Sequence, residues 1–317
     1  MTLEIEKRMI APMERTTESV PPRVGSATAS EGAEVVVNIA NPLEVPYRTG
    51  SYLIYDKGSS DNFRSASGLP EHPYRASGSH QLDFSEFADV LYQQVVKPHS
   101  PRTIYLVDLR QETHGFFDGS AVSWYADNDF SNVGQPKEWI TADEKARLGA
   151  LAGRTTQVFS ITADHEDNRK QERVMPVSFT NVSVRAAYTE ADVAKMLTAK
   201  LETRVEHVRI PVTDHCAPSD AVLAELRTLW QQIGTNDWVH FHCHGGDGRT
   251  TTFLALYDML CWKKPGAPLP SLEQFARRQC QLFAYPLDPD GSTGWKKSLA
   301  EGRWAKLEEF RQSLGGR

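Results

Sequence analysis

Between positions 238 and 262 the chain changes its apolar rhythm twice. Trp238-Val239-His240-Phe241-His242 is a short β-forming run ending at Cys243, and Thr250 to Trp262 is a longer apolar run. The first length suits a strand buried on both faces, the second several turns of a buried helix. Gly245, Gly246 and Gly248 stand between them, permitting tight curvature and close approach of a ligand to the backbone. A strand buried on both faces needs strands beside it and helices above and below. This segment therefore commits the chain to layered α/β packing.

The partners can be read along the chain. Thr103 to Leu109 and His207 to Val212 are two further strands. Helical spacing recurs at Phe84, Phe87, Val90, Leu91 and Val95. Helices are also expected at about 189–201 and 219–233, opened by Thr189-Glu190-Ala191-Asp192 and Ser219-Asp220. Residues 110–188 have another texture, with Gly, Asn and Asp turns, short β runs at 157–161 and 182–184, and one helix near 141–150. We read a main α/β domain over 34–109 and 189–317, with a mostly parallel sheet flanked by helices. A small β-rich insertion, part of a barrel, interrupts it at 110–188. A first strand is expected at 35–39, after a Ser-, Thr-, Glu- and Pro-rich leader, 1–33, expected to be disordered. Trp124, Trp230 and Trp262 are core candidates.

Composition excludes several classes. A net charge of −6 argues against broad binding of nucleic acid, which needs a basic face. No apolar run approaches the roughly 20 residues of a membrane helix. The leader lacks the apolar stretch of a secretory signal, which leaves cytoplasmic residence or export without such a signal. The four cysteines, Cys216, Cys243, Cys261 and Cys280, form no C-x-x-C pair, so neither a zinc ribbon nor a redox motif is expected. His240, His242 and His244 alternate on one strand face, but no carboxylate spacing accompanies them, and no metal or cofactor is implied. His242 is expected to hydrogen-bond near the loop instead.

The turn has a chemical purpose. Successive amides at a helix N-terminus form a nest for an anion. In Cys243-His244-Gly245-Gly246-Asp247-Gly248-Arg249-Thr250, the arginine can fold back to give phosphate two parallel hydrogen bonds. A cysteine at such a helix start is activated as a nucleophile, and the Thr250 hydroxyl can donate to its sulfur. A Walker-type loop is excluded because no Lys-Ser/Thr pair closes the turn. Asp214, just beyond the strand ending at Val212, shares with Cys243 the carboxyl ends of parallel strands, where α/β sheets bind ligands. By position alone it serves equally well as a general acid or as a cap of the next element.

Cys243-x5-Arg249-Thr250 resembles the signature loop of the cysteine-based protein tyrosine phosphatase superfamily. With Thr251 in place of the usual glycine, the stretch from His242 to Phe253 resembles the PTP-like, or cysteine, phytases. Further blocks resemble the same family: Asn62-Phe63-Arg64, Ala76-Ser77-Gly78-Ser79, Val107 to Gly115 with Val122-Ser123-Trp124-Tyr125, Thr213-Asp214-His215, and Trp295-Lys296 with Arg303. The resemblance implies a phosphocysteine intermediate at Cys243, Asp214 as proton donor, and small polyanionic inositol phosphates as substrates. It implies Arg64, Lys296 and Arg303 as substrate-binding cations. His215 and Lys297 join them as candidates because a substrate with six phosphates needs several cations. Two departures stand out. Asp247 puts an acid where the family carries an uncharged or basic residue, and Cys216-Ala217-Pro218 replaces the family's Trp-Pro after Asp-His. Two rival readings keep the same loop: a protein tyrosine phosphatase, and a non-catalytic reader of inositol phosphates. The sequence does not give the oligomeric state.

Overall fold

A computed structural model describes residues 16–19, 51–56, 62–164, 173–263 and 268–315. The chain divides into two compact units. The larger is built from residues 56–111 and 190–315, the smaller from 52–55, 112–164 and 173–189 together with the strand Thr16–Ser19.

The larger unit holds a five-stranded sheet in the spatial order Arg204–Val212, Thr103–Arg110, Trp238–Cys243, Ala76–His80, Arg64–Ser65. The first four strands run parallel, and the two-residue edge strand is antiparallel. The central strand is buried at every position, as its unbroken β-forming run requires. Its register sets Cys243 beside His80 and His242 beside both Ser79 and Asp108. Four chain segments therefore leave the sheet at the same edge, and the turn after Cys243 lies among them. That edge is where an open parallel sheet binds ligands.

The helix Gly248–Trp262 follows the central strand and is buried from Arg249 through Leu260 without a break. A helix apolar all round is the kind that lies inside a domain. It packs in one cluster with helix Asp220–Gln232, through Leu223, Leu226 and Leu229, and with the helices Leu272–Leu282 and Lys296–Leu314. Helix Asp220–Gln232 begins at Ser219, whose hydroxyl accepts a bond from the Val222 amide (3.3 Å). Trp230 and Trp262 lie partly buried against this core. Gly78 lets the strand Ala76–His80 sit against the central helix: a Cβ there would lie 2.6 Å from the Thr250 methyl. The expected helix at 84–96 begins as Phe84–Leu91 and widens into one π-helical stretch, Tyr92–Val96.

The smaller unit is antiparallel throughout. One sheet orders Ala187–Tyr188, His114–Phe117, Ser120–Tyr125 and Tyr52–Tyr55; the other orders Thr16–Ser19, Arg173–Ser183 and Thr155–Asp164. Trp124, Leu148 and Val182 are among its buried core, and its helix runs over Lys137–Leu151. The strand expected at 35–39 lies outside the described residues.

Beneath the ligand edge, fully buried His240 sits between two hydroxyls, with Nδ1 2.9 Å from Ser77 Oγ and Nε2 3.1 Å from Ser79 Oγ. Burial, with Arg64 and His80 nearby, lowers its pKa to about 3. Unfolded, it titrates near 6.5. Between these values the unfolded chain takes up a proton that the folded one refuses, so stability falls as pH drops from about 6.5 towards 3. The expected slope from this residue is roughly 1 kcal/mol per pH unit. Unfolding free energies of wild type and His240→Gln between pH 4 and 7 check this. The variant should show the shallower pH dependence; parallel curves would remove His240 as the cause.

Candidate active site

The turn after Cys243 is held from outside by its own carbonyls. The oxygen of His244 accepts from the Gln81 amide (3.1 Å), that of Gly245 from Asn62 Nδ2 (2.9 Å), and that of Gly246 from Arg64 Nη2 (2.6 Å). Three successive peptide oxygens are thus tied outward. The Gly246 amide faces the other way and donates to Cys243 Sγ (3.2 Å). Thr250 Oγ1 also lies 3.2 Å from that sulfur and 3.2 Å from the Ser79 carbonyl oxygen. Its one hydroxyl proton serves either acceptor. Cys243 itself is only 2% exposed.

Gly246 needs to be glycine for two reasons. Its φ is +75°, and a Cβ there would run into the Asn62 amide and the backbone at Ser79–His80. Asn62 is fixed in turn by accepting from the His80 amide at 2.8 Å. Arg64 is buried; it also donates to Asn62 O (3.1 Å) and Thr251 Oγ1 (2.9 Å), and its guanidinium lies 4.6 Å over the Phe283 ring. Burial pulls its pKa down to about 10, with Cys243 and Asp247 pulling the other way, so it remains a cation at neutral pH. Arg64 grips the back of the loop. Thr251 receives one of its bonds.

Opposite the loop, Asp214 follows the strand ending at Val212. One carboxylate oxygen is 3.1 Å from Arg249 Nε and accepts from the His215 amide (2.9 Å); the other is 3.2 Å from His215 Nε2. Arg249 also donates to Val212 O at 3.3 Å and is nearly fully buried. His215 sits at φ +61°, a left-handed conformation uncommon for any residue but glycine, with its ring edge-on to Trp295 at 5.1 Å. Burial lowers its pKa, Asp214 opposes, and Lys296, Arg249 and Arg303 lower it further. At neutral pH His215 therefore offers a hydrogen bond and no charge.

Arg303 donates to His215 O (3.2 Å) and to the Tyr285 hydroxyl (3.2 Å). Arg303 Nη1 and the Tyr285 hydroxyl close on Gly248, where a Cβ would lie 3.2 Å from each. Burial raises the Tyr285 pKa, Arg303 opposes, and the ring stays a neutral phenol at neutral pH. The Lys296 ammonium stands 5.2 Å over Trp295. Lys297 turns elsewhere, to Pro289 O (2.8 Å) and Asp290 (3.1 Å). Asp247 is exposed, between the two glycines. His244 meets Asp56 at 3.2 Å, Asp56 meets buried Arg110 at 2.6 Å, and His242 faces Glu190 at 3.6 Å.

The contacts fall into two groups on this turn: Cys243 with Thr250, and Arg249 with Asp214, His215 and Arg303. Sequence reading had no role for Asn62, Gln81, Asp56 or Tyr285. Only Asn62 stood in a quoted block, and no spacing distinguishes the others.

Residues 107–261 match the family model of the PTP-like phytases, whose description reads "Inositol hexakisphosphate". The tandemly repeated protein tyrosine phosphatase-like phytase from Mitsuokella multacida superposes with a TM-score of 0.67 at 28% identity, covering 88% of this chain and 48% of that one. By sequence and by fold, the chain is related to the PTP-like phytases. A PTP-like phytase from Bdellovibrio bacteriovorus is 28% identical, with a TM-score of 0.64 over 87% of this chain and 93% of that one. The Mitsuokella PTP-like myo-inositol phosphatase, solved with myo-inositol-(1,3,4,5)-tetrakisphosphate, is 29% identical at a TM-score of 0.65, covering 87% and 48%. Effector protein hopD2 of Pseudomonas syringae pv. tomato (strain ATCC BAA-871 / DC3000) is 27% identical over 208 residues, 65% of this chain. The chain spans 41% of that curated relative and about half of the Mitsuokella chains. The α/β fold expected from the sequence is the fold of these phytases.

The grip of Arg64 on the loop is testable through Thr251. Thr251→Val leaves a buried guanidinium N–H without its acceptor and should cost about 1–3 kcal/mol of unfolding free energy. Thr251→Ser keeps the oxygen and should stay within about 0.5 kcal/mol of wild type. Equal denaturant midpoints for wild type and Thr251→Val would show that the bond holds nothing.

Proposed function

We propose that this chain hydrolyses phosphate esters of inositol polyphosphates, inositol hexakisphosphate included, through a phosphocysteine at Cys243. The observation that carries the reading is the sulfur itself, approached by the Gly246 amide and the Thr250 hydroxyl inside a loop whose His244, Gly245 and Gly246 carbonyls are turned away. A buried sulfur in a bland structural turn has no need of such converging donors. Kinship with proteins named for inositol phosphates supports the substrate class.

In the proposed reaction the reacting phosphate takes the place now held by Asp214 against Arg249, so that the guanidinium fork meets two phosphate oxygens. The Cys243 thiolate attacks phosphorus in line. The S–P bond forms as the P–O ester bond breaks, and Asp214 delivers a proton to the departing oxygen. While paired to a guanidinium, a carboxylate favours its charged form, so freeing Asp214 from Arg249 prepares it to carry that proton. Water then attacks phosphorus and gives its proton to Asp214. The S–P bond breaks, and the thiolate returns to its two donors. Loop amides and Arg249 hold the equatorial oxygens throughout. In this reading Arg303 and Lys296 hold other phosphates of the substrate, with the His215 ring donating as a neutral partner.

Phosphate release from inositol hexakisphosphate and from a phosphotyrosine peptide, followed side by side, tests the proposal. Wild type should turn over the inositol phosphate faster, and Cys243→Ser should be inactive on both. Asp214→Asn should slow inositol phosphate hydrolysis by about 10²–10⁴-fold. The loss should be smaller on an aryl phosphate, whose leaving group needs no proton. Undiminished activity in Cys243→Ser would end the mechanism, and faster turnover of the peptide would end the substrate assignment.

A further inference from the structure

The anion-binding loop carries an acid of its own. Asp247 lies between Gly246 and Gly248 and is exposed, whereas Cys243, Gly246, Arg249 and Thr250 are buried. It is therefore a loop side chain at the mouth of the site. Aspartate is favoured as an N-cap, but here, at φ −89° and ψ −89°, its side chain makes no capping bond to the helix Gly248–Trp262. Only its backbone oxygen serves the helix, accepting from the Thr251 amide at 2.9 Å. The carboxylate leans back over the loop, with Oδ2 3.9 Å from where a Cβ of Gly245 would lie. Although the residue is exposed overall, partial loss of water around its carboxyl raises its pKa, Arg64 opposes, and Asp214 raises it further.

The charges around the mouth can be compared directly. Arg249 belongs to the reacting phosphate, Arg64 is buried behind the loop, and Lys297 is joined to Asp290. His215 is neutral at neutral pH. Arg303, buried against the His215 carbonyl and the Tyr285 hydroxyl, and Lys296, over Trp295, are the other cations considered, and Asp214 and Asp247 are the carboxylates. On a fully phosphorylated ring the reacting phosphate has a phosphate on each side, and one beside Asp247 meets like charge at short range. A free hydroxyl at that ring position instead gives the carboxylate a hydrogen bond, the stronger kind because one partner is charged.

We infer that Asp247 is a specificity-determining residue, selecting inositol phosphates that carry a free hydroxyl beside the reacting phosphate over those phosphorylated at every position. The inference rests on the reading of the site given above and narrows it. The test compares kcat/KM for inositol 1,3,5-trisphosphate, whose phosphates alternate with hydroxyls, with kcat/KM for inositol hexakisphosphate. Wild type should favour the trisphosphate. Asp247→Asn should lower that ratio about tenfold, Asp247→Ser should lower it in the same direction, and Asp247→Glu should hold it within about threefold. Added salt, which screens the repulsion, should shrink the difference between wild type and Asp247→Asn. A ratio that does not move in Asp247→Asn and Asp247→Ser, or a wild type that already prefers the hexakisphosphate, overturns the inference alone. Absence of Cys243-dependent phosphate release from either compound overturns the proposed function and the inference with it.

Discussion

The arrangement around Cys243 depends on three peptide carbonyls being held away from the sulfur. Left to itself, a four-residue turn between a strand and a helix samples many peptide orientations. Gln81, Asn62 and Arg64 remove that freedom by donating to the oxygens of His244, Gly245 and Gly246 in succession. A peptide is planar, so fixing its oxygen on one side directs its N–H to the other. The nest is therefore built from behind, by one backbone amide and two side chains. Glycine at 246 is the conformational condition for it, because its positive φ and crowded surroundings admit no side chain.

This construction divides the arginines into distinct duties. Arg64 is buried at the loop's back, stacked on Phe283, and acts on the site through the backbone it grips. Arg249 is buried at the front, between Asp214 and the end of the strand Arg204–Val212. Arg303 joins the His215 carbonyl to the Tyr285 hydroxyl and so ties the C-terminal helix to the acid-bearing turn. All three are guanidinium groups that meet two or more oxygens at once, a geometry a lysine ammonium reproduces poorly. The two lysines on the same helix are used differently: Lys296 rests over Trp295, and Lys297 closes a local turn with Asp290.

Much of the fold could be read directly. The uninterrupted β-forming run at Trp238–Cys243 required strands on both sides, and Thr103–Arg110 and Ala76–His80 occupy those places. The latter falls in the stretch 61–80, which reads as strand and loop although Ala-Ser-Gly-Ser-His has little β-forming character. It is a strand because small residues let it approach the central helix, as Gly78 does against Thr250. Within the site, Cys243, Arg249 and Thr250 share one segment and Asp214 ends the strand beyond its neighbour, so local pattern and parallel topology suffice to bring them together. Asn62, Gln81, Asp56 and Tyr285 reach the same place from distant segments. Nothing in their spacing encodes that convergence.

Residue types and their order determined by themselves that a cysteine, three glycines and an arginine would stand in one turn between a buried strand and a buried helix. Periodicity and glycine chemistry are local, and they survive in a string of letters. Which cations face the cleft was decided only by tertiary packing. Arg64, Lys297 and Arg303 are equal in formal charge, yet one is buried behind the loop, one is bound to a neighbouring turn, and one is buried between the His215 carbonyl and the Tyr285 hydroxyl. A charge acts through distance and surroundings, and those exist only once segments far apart in the chain have packed together.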